Sequence, residues 1–304
     1  PHARRALEIA AAGGHNLLLI GPPGTGKSML ASRLPGLLPP MTENEAIESA
    51  AIKSITGKQV GADDWMRRAF RSPHNTSSAV AMVGGGANPK PGEISLAHHG
   101  VLFLDELPEF NRNVLEVLRE PLETGSISIS RAAGKAEFPA SFQLIAAMNP
   151  CPCGFHGDGS ERCQCTAEQV KRYRSRLSGP LLDRIDMHIE VPRLPAKLLR
   201  DETPEESSKT VRERVIRSRE RQLSRQNSSN ALLDSRSITR YCRLDEKQHL
   251  LLDKAIERLN LSPRATHRIL KVARTIADMA GSDEIKTSHL SEAIGYRRLD
   301  RGSV

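Results

Sequence analysis

Residues 17–28 constrain this chain more tightly than any other segment. They read Leu-Leu-Leu-Ile-Gly-Pro-Pro-Gly-Thr-Gly-Lys-Ser, an apolar run followed by G-x-x-x-x-G-K-S and then by helix-forming residues. That order is strand, phosphate-binding loop, helix, and it forces a parallel α/β core around it. Each residue type has a chemical reason. Glycines let backbone N–H groups close around phosphates, Lys27 reaches the β and γ phosphates, and the Ser28 hydroxyl can ligate Mg²⁺. The helix that starts near Lys27 adds the positive end of its dipole. Gly21, Pro22, Pro23, Gly24, Thr25, Gly26, Lys27, Ser28 and Met29 are therefore the expected triphosphate contacts, with ATP and Mg²⁺ as ligands.

Apolar strand-like runs alternate with helical segments through the first half, the pattern of a parallel sheet covered by helices. Strands are expected at 16–20, 101–104, 142–148 and 187–191. A β-hairpin is expected over about 126–138, where Ser-Ile-Ser-Ile-Ser leads to a glycine-bearing turn with Arg131 and Lys135 at its tip. Gly84-Gly-Gly-Ala-Asn-Pro-Lys-Pro-Gly92 is too irregular for a strand or long helix and reads as an inserted loop or broken helix. Residues 194–206 read as a linker. Beyond it helices are expected at 207–226, 246–259, 263–280 and 287–295, with Ser262 before Pro263 as a start and Gly281 as a stop. The division is a nucleotide-binding core at 1–195, with an insert at about 74–98 and a cysteine-rich loop at 151–165, then a smaller all-helical domain at 196–304.

The net charge is +8, and 22 basic against 16 acidic residues fall in 200–304. This excess is either a solvated helical face or a surface for a polyanion, the second favoured by the arginine cluster at 211–221. Aromatic residues make up 3% of the chain, which argues against a platform that stacks bases. Any nucleic acid would be gripped by its backbone. No apolar run approaches the roughly 18 residues of a membrane span, and the N-terminal residues do not read as a secretory leader. A cytoplasmic protein without membrane partners is expected, and the opening at Pro1 suggests a fragment of a longer one.

Val101-Leu-Phe-Leu-Asp-Glu106 is a buried strand ending in two carboxylates. Parallel strands deliver their C-terminal ends to one crevice, so Asp105 is expected to hold Mg²⁺ and Glu106 to polarise the attacking water. Asn149 ends the apolar run 144–148 and can orient that water; alone it would read as a turn residue before Pro150.

Gly21-Pro-Pro-Gly-Thr-Gly-Lys-Ser28, Gly92-Glu-Ile-Ser-Leu-Ala-His-His-Gly-Val-Leu-Phe-Leu-Asp-Glu106, Ala147-Met-Asn-Pro-Cys-Pro-Cys-Gly154 and Leu181-Leu-Asp-Arg-Ile-Asp186 together resemble the magnesium-chelatase-related AAA+ family, in its ComM/YifB branch. The resemblance covers essentially the whole chain. It implies a missing N-terminal Lon-protease-like domain and a homohexameric, ATP-driven motor that binds single-stranded or branched DNA and promotes branch migration in natural transformation and recombination. By the same resemblance Arg184 matches an arginine finger reaching a neighbouring subunit's ATP, with Arg176 as substitute; a salt bridge to Asp183 or Asp186 is the plainer alternative. Arg264 matches the second sensor of the γ phosphate, with Arg268 four residues on. Arg131 and Lys135 fall where related motors project a pore hairpin toward DNA. The other reading is an ATP-dependent remodeller or chelatase-type motor acting on a protein partner, with no tetrapyrrole bound by this chain.

Four of the five cysteines lie in one loop, at Cys151, Cys153, Cys163 and Cys165. Two C-x-C pairs can close a tetrahedral zinc site, with His156 able to replace one ligand, or they can be free thiols or an adventitious disulfide. Such a site would staple the loop and take no part in catalysis. Cys242 stands alone and is expected to be buried.

Overall fold

A computed structural model describes residues 2–57, 61, 64–86, 89–131, 134–193 and 206–297. The chain forms two compact units, one from 1–39, 153–164 and 185–304, the other from 40–152 and 165–184.

In the first unit, strand Leu17–Ile20 pairs in parallel with Met187–Glu190, in the register Leu17↔Met187 to Ile20↔Glu190. All four residues of Leu17–Ile20 are buried, as an unbroken apolar run in a parallel sheet requires. Helices His2–Gly13 and Lys27–Leu37 flank that strand in sequence. The other helices are Ser208–Gln226, Ser235–Tyr241, Glu246–Leu259, Pro263–Met279 and Thr287–Gly295. Their starts are written in the sequence: Ser207 accepts from the Thr210 N–H, Ser262 from Ala265, and Asp245 forms a reciprocal capping box with Gln248. Pro263–Met279 is the axis of this helical part, with Ile269, Val272, Ala273, Ile276 and Ala277 buried along it. Full burial of each of its larger aliphatics contributes about 1.5–3 kcal/mol. Helix Ser235–Tyr241 was not expected from the pattern, because only Ile238 of its seven residues is buried and polar groups dominate the rest.

In the second unit, strands Phe70–Arg71, Val101–Leu104 and Gln143–Met148 pair in parallel, with Leu104 opposite Ala146. Val101–Leu104 and Gln143–Met148 are buried throughout. Phe70–Arg71, two half-buried residues, is too short to leave a periodic signal and was not expected. The hairpin is present: Ser126–Arg131 runs antiparallel to Gly134–Pro139. Ile127, Ile129 and Phe138 share its buried face, the period-two pattern seen in the sequence. The glycine-rich stretch folds as broken elements, with helices Ala79–Val83 and Glu93–Leu96 on either side of the paired strands Gly84–Gly85 and Lys90–Pro91. Residues 87–88, the side chains of Arg131 and Lys135, and residues 194–205 of the expected linker lie outside the described residues.

Candidate nucleotide site

The phosphate loop lies in the first unit, at the end of Leu17–Ile20. Gly24 and Gly26 have φ of 76° and 84°, left-handed values that glycine adopts without the Cβ penalty. At Gly21 the constraint is space, since a Cβ would stand 2.2 Å from the Val191 carbonyl oxygen. The Thr25 hydroxyl closes the turn by donating to the Pro22 carbonyl at 3.0 Å. Helix Lys27–Leu37 then starts on Gly26, which brings the positive end of its dipole to the loop. Lys27 is buried, and its Nζ donates to the carbonyls of Gly21 at 2.6 Å and Pro22 at 2.9 Å. Its ammonium therefore lies on the loop itself, on oxygens that phosphate oxygens can replace. Ser28 and Met29 are exposed beside it. A backbone cradle, a cation and a helix start fit a triphosphate with its Mg²⁺.

The same unit holds a buried ion pair that sequence reasoning did not anticipate. Asp186, 1% exposed, accepts the Asn16 N–H at 2.7 Å and Arg268 Nη1 at 2.9 Å. His15 Nδ1 lies 3.9 Å from the same carboxylate. Complete burial pushes the His15 pKa down to about 4, so the imidazole is neutral near pH 7 and Arg268 supplies the positive charge. Arg268 and its neighbours in turn hold the Asp186 carboxyl below its ordinary range against its own burial. Arg268 is thus engaged by Asp186, while Arg264, one turn earlier on Pro263–Met279, is exposed.

In the second unit Asp105 and Glu106 follow directly on Val101–Leu104. Asp105 Oδ1 accepts the Glu106 N–H at 2.9 Å. Glu106 has φ 54°, a conformation that costs a non-glycine residue about 1–3 kcal/mol and persists where the surroundings demand it. Asn75 Nδ2 donates to Glu106 Oε2 at 2.9 Å. Asn75 is the functional candidate that the sequence did not reveal, because the two residues are 31 apart and no motif joins them. Asn149 ends the strand paired with Val101–Leu104, and its backbone hydrogen-bonds the Tyr173 hydroxyl. Burial first, then the charges of Glu109 and Glu106, pushes the Tyr173 pKa up to about 12.

Arg184 is buried and donates to Glu123 and, at 3.1 and 2.7 Å, to the carbonyls of Arg119 and Pro180. Arg176 pairs with Glu109 at 2.8 Å. The sulfurs of Cys151, Cys153, Cys163 and Cys165 lie within 4.8 Å of one another, with Cys153 and Cys163 at 3.6 Å. Glu48, His98 and His99 also cluster, but His98 Nδ1 accepts the Ser141 N–H at 2.9 Å. Its Nε2 then carries the proton and donates to Glu48, so this group is a hydrogen-bond cluster rather than a ligand set.

A phosphate loop, an acidic strand end and a helical C-terminal part can be compared with known families. The family model "Magnesium chelatase, subunit ChlI" matches residues 1–199, and "Magnesium chelatase, subunit ChlI C-terminal" matches 205–297. The chain belongs to the magnesium chelatase family. It is accordingly an AAA+ ATPase-type chain, with parallel strands flanked by helices and a helical C-terminal region, as its sequence suggested. Among curated proteins it is 56% identical to YifB of Escherichia coli K12 over 98% of this chain, and 56% identical to the competence protein ComM of Haemophilus influenzae over 99%. It spans 59% of the length of each. More distantly, it is 22% identical to the maternal DNA replication licensing factor mcm6 of Xenopus tropicalis over 95% of this chain and 32% of that protein. Among the described residues no helix is long and apolar enough to cross a membrane.

Proposed function

We propose that the chain is the ATP-hydrolysing part of a cytoplasmic, homohexameric motor that moves on DNA and drives branch migration in natural transformation and recombination. The folded phosphate loop carries this reading: left-handed glycines at Gly24 and Gly26, Lys27 on the loop carbonyls and a helix starting at the loop suit a triphosphate. Likeness to a competence protein, and more remotely to replication licensing factors, supports DNA as the track. Ser28 and Asp105 would hold Mg²⁺, Glu106 would polarise the attacking water and Asn149 would orient it. Arg264, exposed at the start of Pro263–Met279, would read the γ phosphate, with Arg268 one turn on as the alternative. Arg184 would complete a neighbouring subunit's site after leaving Glu123, and Arg131 and Lys135 would contact DNA phosphates from the hairpin tip. The working division is a core at 1–195 and a helical lid at 196–304.

Steady-state ATP turnover by the full-length protein, with and without single-stranded or branched DNA, tests this. Stimulation by DNA is expected. Its absence would favour the second reading, a motor acting on a protein partner, which the chelatase-subunit match itself supports.

We also infer that loop 151–165 holds a structural zinc. A tetrahedral site with Zn–S bonds of about 2.3 Å has sulfur–sulfur edges of about 3.8 Å, close to the 3.6 Å between Cys153 and Cys163. Zinc would be four-coordinate there and would only brace the loop. Purified protein is expected to release about one zinc per chain on thiol modification, and Cys153→Ser with Cys165→Ser to release almost none. Metal-free, folded wild-type protein from zinc-replete cells would reject the assignment.

A further inference from the structure

Most of the arginine cluster at 211–221 is engaged within the chain rather than offered to a polyanion. Four of the six arginines in helix Ser208–Gln226 bond to the protein itself. Arg214 pairs with Glu8 and Glu206, and Arg219 donates to the Ala12 and Ala11 carbonyls. Arg221 pairs with Asp283, and Arg225 grips Asp278 through both carboxylate oxygens at 2.6 and 2.9 Å. That helix is largely a structural strut.

A different surface of the helical part has guanidiniums to offer. Between the end of Ser208–Gln226, the Ser235–Tyr241 helix, the start of Glu246–Leu259 and the turn at 283–285 lies a groove of about 370 Å³, lined by Arg225, Arg240, Tyr241, Arg243 and Arg274. Arg240 and Arg243 are exposed, and among the described residues neither has an ion-pair partner. They flank Tyr241, whose ring lies 5.3 Å from the Arg240 guanidinium and 5.8 Å from that of Arg225. The floor is positive as well, because Arg225 and Arg274 share the single carboxylate of fully buried Asp278. Of the three acids on the rim, Asp245 caps a helix and Asp283 pairs with Arg221, which leaves Glu284 as the counterweight. Planar guanidinium forks beside an aromatic face match phosphodiester oxygens in geometry as well as charge.

We propose that this groove binds the phosphate backbone of a single nucleic-acid strand through Arg240 and Arg243. This rests on the reading of the protein as a DNA motor and adds a contact surface outside the hairpin. The test uses full-length protein, a labelled single-stranded oligonucleotide and a salt series, comparing wild type with Arg240→Ala/Arg243→Ala and Arg240→Lys/Arg243→Lys. Each lost phosphate contact should reduce the log–log salt slope by about 0.7. The double alanine variant is therefore expected to bind with a slope lower by about 1.4 and with at least severalfold lower affinity, its DNA-free ATP turnover unchanged. The lysine variant should recover most of the slope. Wild-type DNA binding with the same slope in the alanine variant would overturn the groove alone, whereas no DNA binding by wild type would remove the motor reading with it. A further arm titrates inorganic phosphate and follows Tyr241 by NMR. A Tyr241 response to phosphate without one to the oligonucleotide would assign the groove to a small anion and overturn the proposal.

Discussion

Glu106→Gln is expected to bind ATP within a few-fold of wild type and to turn it over about 10²–10⁴ times more slowly, the loss that follows removal of a general base. The amide keeps the size of the side chain and can still interact with Asn75, which now donates to Glu106 Oε2 at 2.9 Å. What it loses is the negative charge that, on this proposal, would draw a proton from water. Lys27→Ala should behave differently, because it removes a cation that lies on the phosphate loop itself. There binding should weaken along with turnover. Equilibrium binding of a fluorescent ATP analogue beside steady-state phosphate release separates the two outcomes. Unchanged turnover in Glu106→Gln would remove that residue from the chemistry.

The largest stability effect is expected at the buried pair of Asp186 and Arg268. Deleting Asp186 leaves the Asn16 N–H without its carboxylate acceptor and Arg268 without its counter-ion. Breaking such a pair from one side costs about 3–5 kcal/mol, and we expect the lower end because Arg268 keeps 20% of its side-chain surface. Asp186→Ala and Arg268→Ala should each cost about 3 kcal/mol. The double variant should cost clearly less than their sum, because no uncompensated charge is then left behind. Urea unfolding of the four proteins gives the coupling directly. Additive losses, or single losses under about 1 kcal/mol, would mean that the pair does not tie Pro263–Met279 to the start of Leu17–Ile20.

The phosphate loop and the acidic strand end are each a single unbroken run of residues, so each is legible from local order. The helices Glu246–Leu259 and Thr287–Gly295 fall where the periodicity put them. The hairpin was legible because Ile127, Ile129 and Phe138 alternate with polar residues on a two-residue repeat. Phe70–Arg71 and Ser235–Tyr241 were not, being too short or too polar to carry a period. Asn75 with Glu106, and Asp186 with Arg268, were equally hidden. Each joins residues 31 or 82 positions apart, and no spacing rule reaches that far. The basic cluster at 211–221 shows the opposite error, in which local composition suggests a partner while the fold has already supplied partners from the chain itself.

The most direct test of the proposed motor is movement. A labelled four-stranded DNA junction that can migrate in one direction is incubated with the full-length protein and ATP, and the strands released are followed over time. The account predicts release with ATP, none with a non-hydrolysable analogue and none with Glu106→Gln. Equal release in all three conditions, or no release from a preparation that hydrolyses ATP and binds the junction, would contradict it.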